Sequence, residues 1–191
     1  QVAETRLNGR TIFIYAGNMG VAQGMDIFIE LASRLLSRKD IGFIFLGRGS
    51  DAEHLQNLAA KKRLDNVMFF DEIDPGEIPL LFAQCHIGLV ALDPRHKTHN
   101  IPGKFLSYMK SGLPVLARVN PGNDLIDLIG EYNVGFVCTE SSIEQLLERS
   151  LLLLDGLLEK KEIYTIRCNA MIDKLFSPDI AIDQIITALK E

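Results

Sequence analysis

Three stretches of this sequence carry residue types suited to binding an anion. The first is the loop Gly17-Asn18-Met19-Gly20-Val21-Ala22-Gln23-Gly24, which follows an apolar run. Glycines there let backbone N–H groups approach an anion closely, and the helix N-terminus beyond adds partial positive charge. Turn chemistry alone accounts for such a loop as well. The second stretch runs from Asn100 to Val115 and reads as a loop, a proline-started helix, a glycine stop and a strand. Ile101, Pro102, Gly103 and Lys104 form its entry, where free amide donors face outward. Lys104 falls in the first turn, where a cation opposes the helix dipole unless an anion sits nearby. A surface lysine in solvent is the plainer account of it. The third stretch is Arg95-His96-Lys97-Thr98-His99. It offers a grip on phosphate, or two histidines for a metal, but a loop fixes no ligand geometry and no cysteine or carboxylate pair completes a set. A polar surface loop explains it too.

Other chemistries lack their marks. The glycine loop is not G-x-G-x-x-G, no G-x-x-x-x-G-K-[ST] occurs, and the second strand ends in Gly47-Arg48-Gly49 rather than an acid for a ribose. These absences count against a dinucleotide-binding oxidoreductase domain and a P-loop NTPase. No G-x-S-x-G elbow and no defensible Ser-His-Asp set is present.

Short β-rich apolar runs alternate with helical periodicity, which predicts an α/β, Rossmann-like, doubly wound parallel sheet of six strands. The strands are expected at Thr11–Gly17, Ile41–Leu46, Val67–Phe70, Ile87–Leu92, Pro114–Ala117 and Gly135–Cys138. Ile27, Phe28, Leu31, Ala32, Leu35 and Leu36 share a helix face. Asp51 is expected to cap a helix reaching Leu64, and Pro75 to open another whose inward face is Ile78, Leu81, Phe82 and Cys85. Further helices are expected from Pro102, over Asp124–Glu131, over Ser141–Leu158, onward to Phe176, and over Pro178–Lys190. The reading is one domain over 1–191, with 11–140 as the α/β core and 141–191 as C-terminal helices.

The 191 residues have a formal net charge of −5, with 47% hydrophobic and 24% charged residues. No basic block is present, so nucleic acid is not an expected partner. No apolar run is long enough to span a bilayer. Cys85, Cys138 and Cys168 are far apart, as for reduced, buried thiols in a cytoplasmic protein rather than a disulfide frame.

Four segments in this order resemble the C-terminal domain of retaining glycosyltransferases of family 4, one half of the GT-B fold, of the bacterial surface-polysaccharide type. They are FIYAGNMGVAQGMDIFIELA, DNVMFFDEIDPGEIPLLFAQCHIGLVAL, IPGKFLSYMKSGLPVLA and NVGFVC with the helices after it. The resemblance implies transfer of a hexosyl or N-acetylhexosaminyl group from a nucleoside-diphosphate sugar, UDP-linked, to a hydroxyl acceptor in lipopolysaccharide, O-antigen or capsule biosynthesis. It implies a cytoplasmic site peripheral to the inner membrane, no resident cofactor or metal, and an acceptor domain in an N-terminal part of the polypeptide absent from this chain. The fragment alone is then expected to be inactive.

By the same resemblance, Gly17, Asn18, Gly20 and Gln23 face the diphosphate and the transferred sugar, and Glu72 and Ile73 lie beside the nucleobase. Ile101, Pro102, Gly103 and Lys104 cradle the diphosphate, Ser107 lies near the ribose, and Arg48 or Arg95 adds charge. The chain departs from the family at His99 and Ser107, where glutamates are common, and at Asn18 and Gln23, where an arginine and a lysine are common. A non-catalytic GT-B module and half of a sugar-nucleotide epimerase are the alternatives.

Overall fold

Six apolar runs, too short for helices and rich in Ile, Val and Phe, become the strands β1 Thr11–Ala16, β2 Ile41–Leu46, β3 Val67–Phe70, β4 Ile87–Ala91, β5 Val115–Arg118 and β6 Gly135–Cys138. The computed structural model describes residues 2–93, 95 and 101–177. All neighbouring strands are parallel, in the order β3-β2-β1-β4-β5-β6. This is a doubly wound sheet whose order reverses between β1 and β4, the place where such sheets open a crevice.

Between the strands lie α1 Asp26–Arg34, α2 Ala52–Lys61, α3 Ile78–Phe82, α4 Gly103–Lys110, α5 Leu125–Tyr132 and α6 Ile143–Leu175. Side chains alternate across β1: Phe13 and Tyr15 join Phe43, Phe45, Phe28 and Leu153 on one face, and Ile12 and Ile14 join Ile44, Phe82, Phe105 and Ile129 on the other. The Phe13 and Phe43 rings stack at 4.8 Å. Helix α6 serves both faces, Leu146 to Leu157 on the first and Cys168 and Met171 on the second. Its backbone breaks at Lys160 (φ −146°, ψ 40°), which lets one segment change sides.

The boundaries expected from the sequence hold within a few residues. Pro75 starts a short 3₁₀ turn, Pro75–Glu77, before α3, with the Asp74 carboxylate accepting from the Gly76 N–H at 2.7 Å. Asp51 is a correction: its side chain makes no cap, and α2 ends at Lys61 rather than near Leu64. Its N–H donates to the Met19 carbonyl at 2.9 Å, so the residue ties α2 to the glycine loop. All three cysteines are buried free thiols. The helix expected over Pro178–Lys190 lies outside the described residues.

Strand β3 is an edge of the sheet. Its inner carbonyls, such as that of Phe70, accept from β2 and its extension, and the outward Val67 carbonyl accepts from Arg6 Nη2, with Arg6 Nε on Asp65 O at 3.1 Å.

At the opposite end of β1, His86 Nδ1 accepts from the Ile12 N–H at 3.1 Å. Burial first, and Lys161 second, hold its pKa below the usual histidine value. A base with a lowered folded pKa contributes stability that is full above the unfolded value and is lost as pH falls through the folded one. The melting temperature is therefore expected to drop as pH falls below the ordinary histidine value of about 6.5, and to drop less in His86→Asn, whose amide oxygen accepts at any pH. Equal slopes in the two proteins, measured by thermal melts, would rule this out.

Candidate functional site

The crevice is built by what fails to pair. Strands β1 and β4 are in register only at Phe13↔Ile87 and Ile14↔Gly88; beyond that they part. The Tyr108 hydroxyl fills the gap, accepting from Ala16 N–H at 2.9 Å and donating to Ile14 O at 3.1 Å. Its ring lies so close to β4 that a Cβ on Gly88 would sit 2.5 Å from it, which is why that strand position has no side chain. Burial keeps the Tyr108 phenol protonated, far above its usual range.

On the other side, β1 and β2 continue their ladder into the loops. Gly17 N–H donates to Leu46 O at 2.9 Å, and Met19 N–H to Arg48 O at 2.8 Å. Gly47 (φ +130°) faces Gly17 so closely that a Cβ there would fall 2.2 Å from the Gly17 carbonyl oxygen. The two glycine turns are thus locked together, and their surface is bare backbone.

A pocket of about 560 Å³ opens over these turns. Of the residues singled out in the sequence, it gathers Gly17, Glu72, Ile73, Lys104 and Ser107, with Ala16, Leu46, Gly47, Pro75, Ile78 and Phe82 completing the wall. Arg48 reaches its rim through an ion pair with Glu72 at 3.0 Å. Asn18, Gly20, Gln23, Ile101, Pro102 and Gly103 lie nearby in the chain but do not line it. The Gln23 side chain is spent inside its own loop, its carbonyl accepting from Gly20 N–H at 2.9 Å. Ser107 Oγ bonds back to Gly103 O at 3.2 Å. Arg95 is held by the Asp93 carboxylate at 2.6 Å, which keeps the acid well below its ordinary pKa. His96, Lys97, Thr98 and His99 lie outside the described residues.

Lys104 dominates the electrostatics. It rises from the first turn of α4, while Tyr15 belongs to the opposite face of the sheet. They meet across Gly17, where the sheet has opened: the ammonium donates to the Tyr15 hydroxyl and sits 3.7 Å from the ring centroid. No carboxylate among the described residues pairs with it. Burial lowers its pKa to about 7. A cation kept half out of water beside a neutral phenol has lost hydration without gaining a counter-charge, so the pocket favours an anion. Sequence reasoning missed Tyr15, Tyr108 and Gly47; the only trace of the tyrosines was a polar tip inside otherwise apolar runs.

Residues 2–165 match the family described as glycosyl transferases group 1. The chain belongs to this family. Among curated relatives of this group 1 glycosyltransferase chain, the probable glycosyltransferase WbjE of Pseudomonas aeruginosa is 25% identical over 130 residues, 68% of this chain and 32% of its own length. The chain spans about a third of the length of the curated relatives it matches. Anabaena HepE, solved in complex with UDP-glucose, superposes with a TM-score of 0.76 at 16% identity, over 96% of this chain and 50% of that one. WaaG, a glycosyltransferase involved in lipopolysaccharide biosynthesis, gives 0.63 at 21%, over 88% of this chain and 48% of that one. The six-stranded parallel sheet of the group 1 chain is therefore the fold of solved glycosyltransferases. No described helix is long and apolar enough to cross a membrane.

Proposed function

We propose that this chain is the donor-binding part of a retaining, family 4 glycosyltransferase that takes a hexosyl or N-acetylhexosaminyl group from a UDP-linked donor. The acceptor is a hydroxyl in bacterial lipopolysaccharide, O-antigen or capsule assembly, bound by a further domain of the same polypeptide. The enzyme works at the cytoplasmic side of the inner membrane, to which that domain attaches it. The observation that carries this reading is Lys104, an ammonium without a carboxylate partner among the described residues, in the wall of a pocket floored by the Gly17 and Gly47 turns. The neighbours HepE, solved with UDP-glucose, and WaaG, named for lipopolysaccharide biosynthesis, give the same direction.

The chemical task is to stabilise a leaving diphosphate while positive charge develops at the anomeric carbon. Lys104 and the loop amides are preorganised donors for that charge and need no metal to act. Glu72, beside Ile73 on the pocket wall, is the carboxylate within reach of nucleoside hydroxyls, since Ser107 offers only a single hydroxyl turned to Gly103.

Calorimetric titration with UDP, GDP, NAD and a UDP-N-acetylhexosamine, with and without magnesium, tests the reading. UDP is expected to bind without magnesium, and its affinity to fall as pH rises, by up to about tenfold per unit above the Lys104 midpoint. The sign follows from linkage: diphosphate prefers the protonated amine, so binding raises a pKa of about 7 and weakens once the free site loses its proton. Binding of NAD alone, or UDP binding indifferent to pH, would overturn it. The Ser107–Gly103 bond favours a second reading, a GT-B module that retains the pocket without turnover. Sugar transfer by a longer polypeptide containing this chain would exclude that second reading.

A further inference from the structure

Tyr15 has features the donor-site reading does not use. Its ring is fully buried in the aromatic face of the sheet, and its hydroxyl, buried with it, reaches the backbone just past the end of β1. That hydroxyl has one proton, donated to the Asn18 carbonyl at 2.6 Å. Its lone pairs are then free to accept, and the Lys104 ammonium is the donor. Burial holds the phenol far above its usual pKa, so it stays neutral. The result is a relay from Lys104 through Tyr15 to the backbone of the glycine loop.

We propose that Tyr15 is a positioning residue for donor binding: it holds Lys104 as an unneutralised cation in the pocket and ties that cation to the glycine loop through Asn18. This rests on the reading of the pocket as a donor site. A phenol suits the task for a chemical reason. A carboxylate at this place would bind the ammonium more tightly but cancel its charge, and an aliphatic residue would leave it to swing into solvent. A neutral acceptor over an aromatic face holds the ammonium by hydrogen bond and cation–π attraction and leaves the full charge for the diphosphate. The other groups around Lys104 compete little. Gly17 offers backbone, Ser107 is bonded to Gly103, and Glu72 on the same wall is paired with Arg48.

The test compares the full chain with Tyr15→Phe, which keeps the ring and removes the relay. UDP affinity is expected to weaken by about three- to tenfold, the range of one lost hydrogen bond. In Tyr15→Phe the further substitution Lys104→Ala is expected to weaken binding less than it does in the parent, because the two act as a unit. A ligand-free measurement accompanies this: the Lys104 Cε resonance, titrated by NMR, is expected to show a lower midpoint in Tyr15→Phe, since the ammonium loses its acceptor. Additive losses in the mutant cycle, or an unchanged midpoint, would overturn the proposal. If the parent binds no UDP, the donor-site reading has failed and the proposal with it. A midpoint that still moves in that case locates the error in the ligand, because the Tyr15–Lys104 coupling is then seen without one.

Discussion

Gly47→Ala is expected to lower stability by about 3–4 kcal/mol, among the larger effects that a single methyl group produces. Two costs add. The residue holds φ at +130°, a conformation L side chains rarely adopt, and its new Cβ would lie 2.2 Å from the Gly17 carbonyl oxygen. That atom is backbone, so no rotamer change relieves the contact. Either the β1–β2 loop ladder opens, losing the Gly17–Leu46 and Met19–Arg48 bonds, or the turn shifts into the pocket. For a chain of this size the loss corresponds to a melting temperature about 10 °C lower, with nucleotide binding lost in parallel. Gly103→Ala is the internal control. Nothing lies within 4 Å of its Cβ position, and it opens α4 with ordinary dihedrals. It is expected to melt no lower than the parent, because alanine favours a helix over glycine. A Gly47→Ala protein that melts within a degree or two of the parent would mean that the two turns are not locked together.

Lys104→Ala is expected to weaken UDP binding by about 10- to 100-fold at neutral pH, the value of a charge-assisted hydrogen bond. It is expected to leave the melting temperature unchanged or higher. The reason is visible in the direction of its pKa: burial lowers it to about 7, so the folded chain bears a desolvation cost for the charge at pH values below that. Removing a residue that costs stability and supports binding separates function from packing. Lys104→Arg is expected to retain part of the affinity while flattening its pH dependence, since a guanidinium does not lose its proton in this range. Calorimetry at several pH values with melting curves beside it reads all of these. A Lys104→Ala protein that binds as well as the parent would remove the lysine from the site altogether.

Much of the framework was legible in the sequence because it depends on local pattern. The six strands announce themselves as apolar runs, and α4 by its proline start and glycine stop. The sheet order reverses at the loop that composition had marked, so Gly17 and Lys104 meet although they are distant in the chain. What sequence hides is the use of polar tips inside apolar runs. Tyr15 and Tyr108 look like core residues, and each is one, yet their hydroxyls reach partners 89 and 92 residues away. Capping by Asp51 was misjudged for a related reason. A cap needs the side chain free to turn back onto its helix, and the Asp51 backbone is instead drawn to Met19 by the closeness of two loops. Gln23 looks available in the sequence but is consumed by Gly20, three residues before it.

Arg6 has a consequence that reaches beyond the pocket. A parallel sheet grows wherever an outer strand leaves its carbonyls unmet, and a second molecule is as good a source of N–H groups as the first. On the β3 side, the guanidinium of Arg6 occupies the Val67 and Asp65 carbonyls that an incoming strand would need. It meets them with a charge that another chain's backbone cannot displace without losing a strong bond. One side chain outside the wall of that pocket thereby limits how far this sheet extends and bears on the colloidal behaviour of the protein.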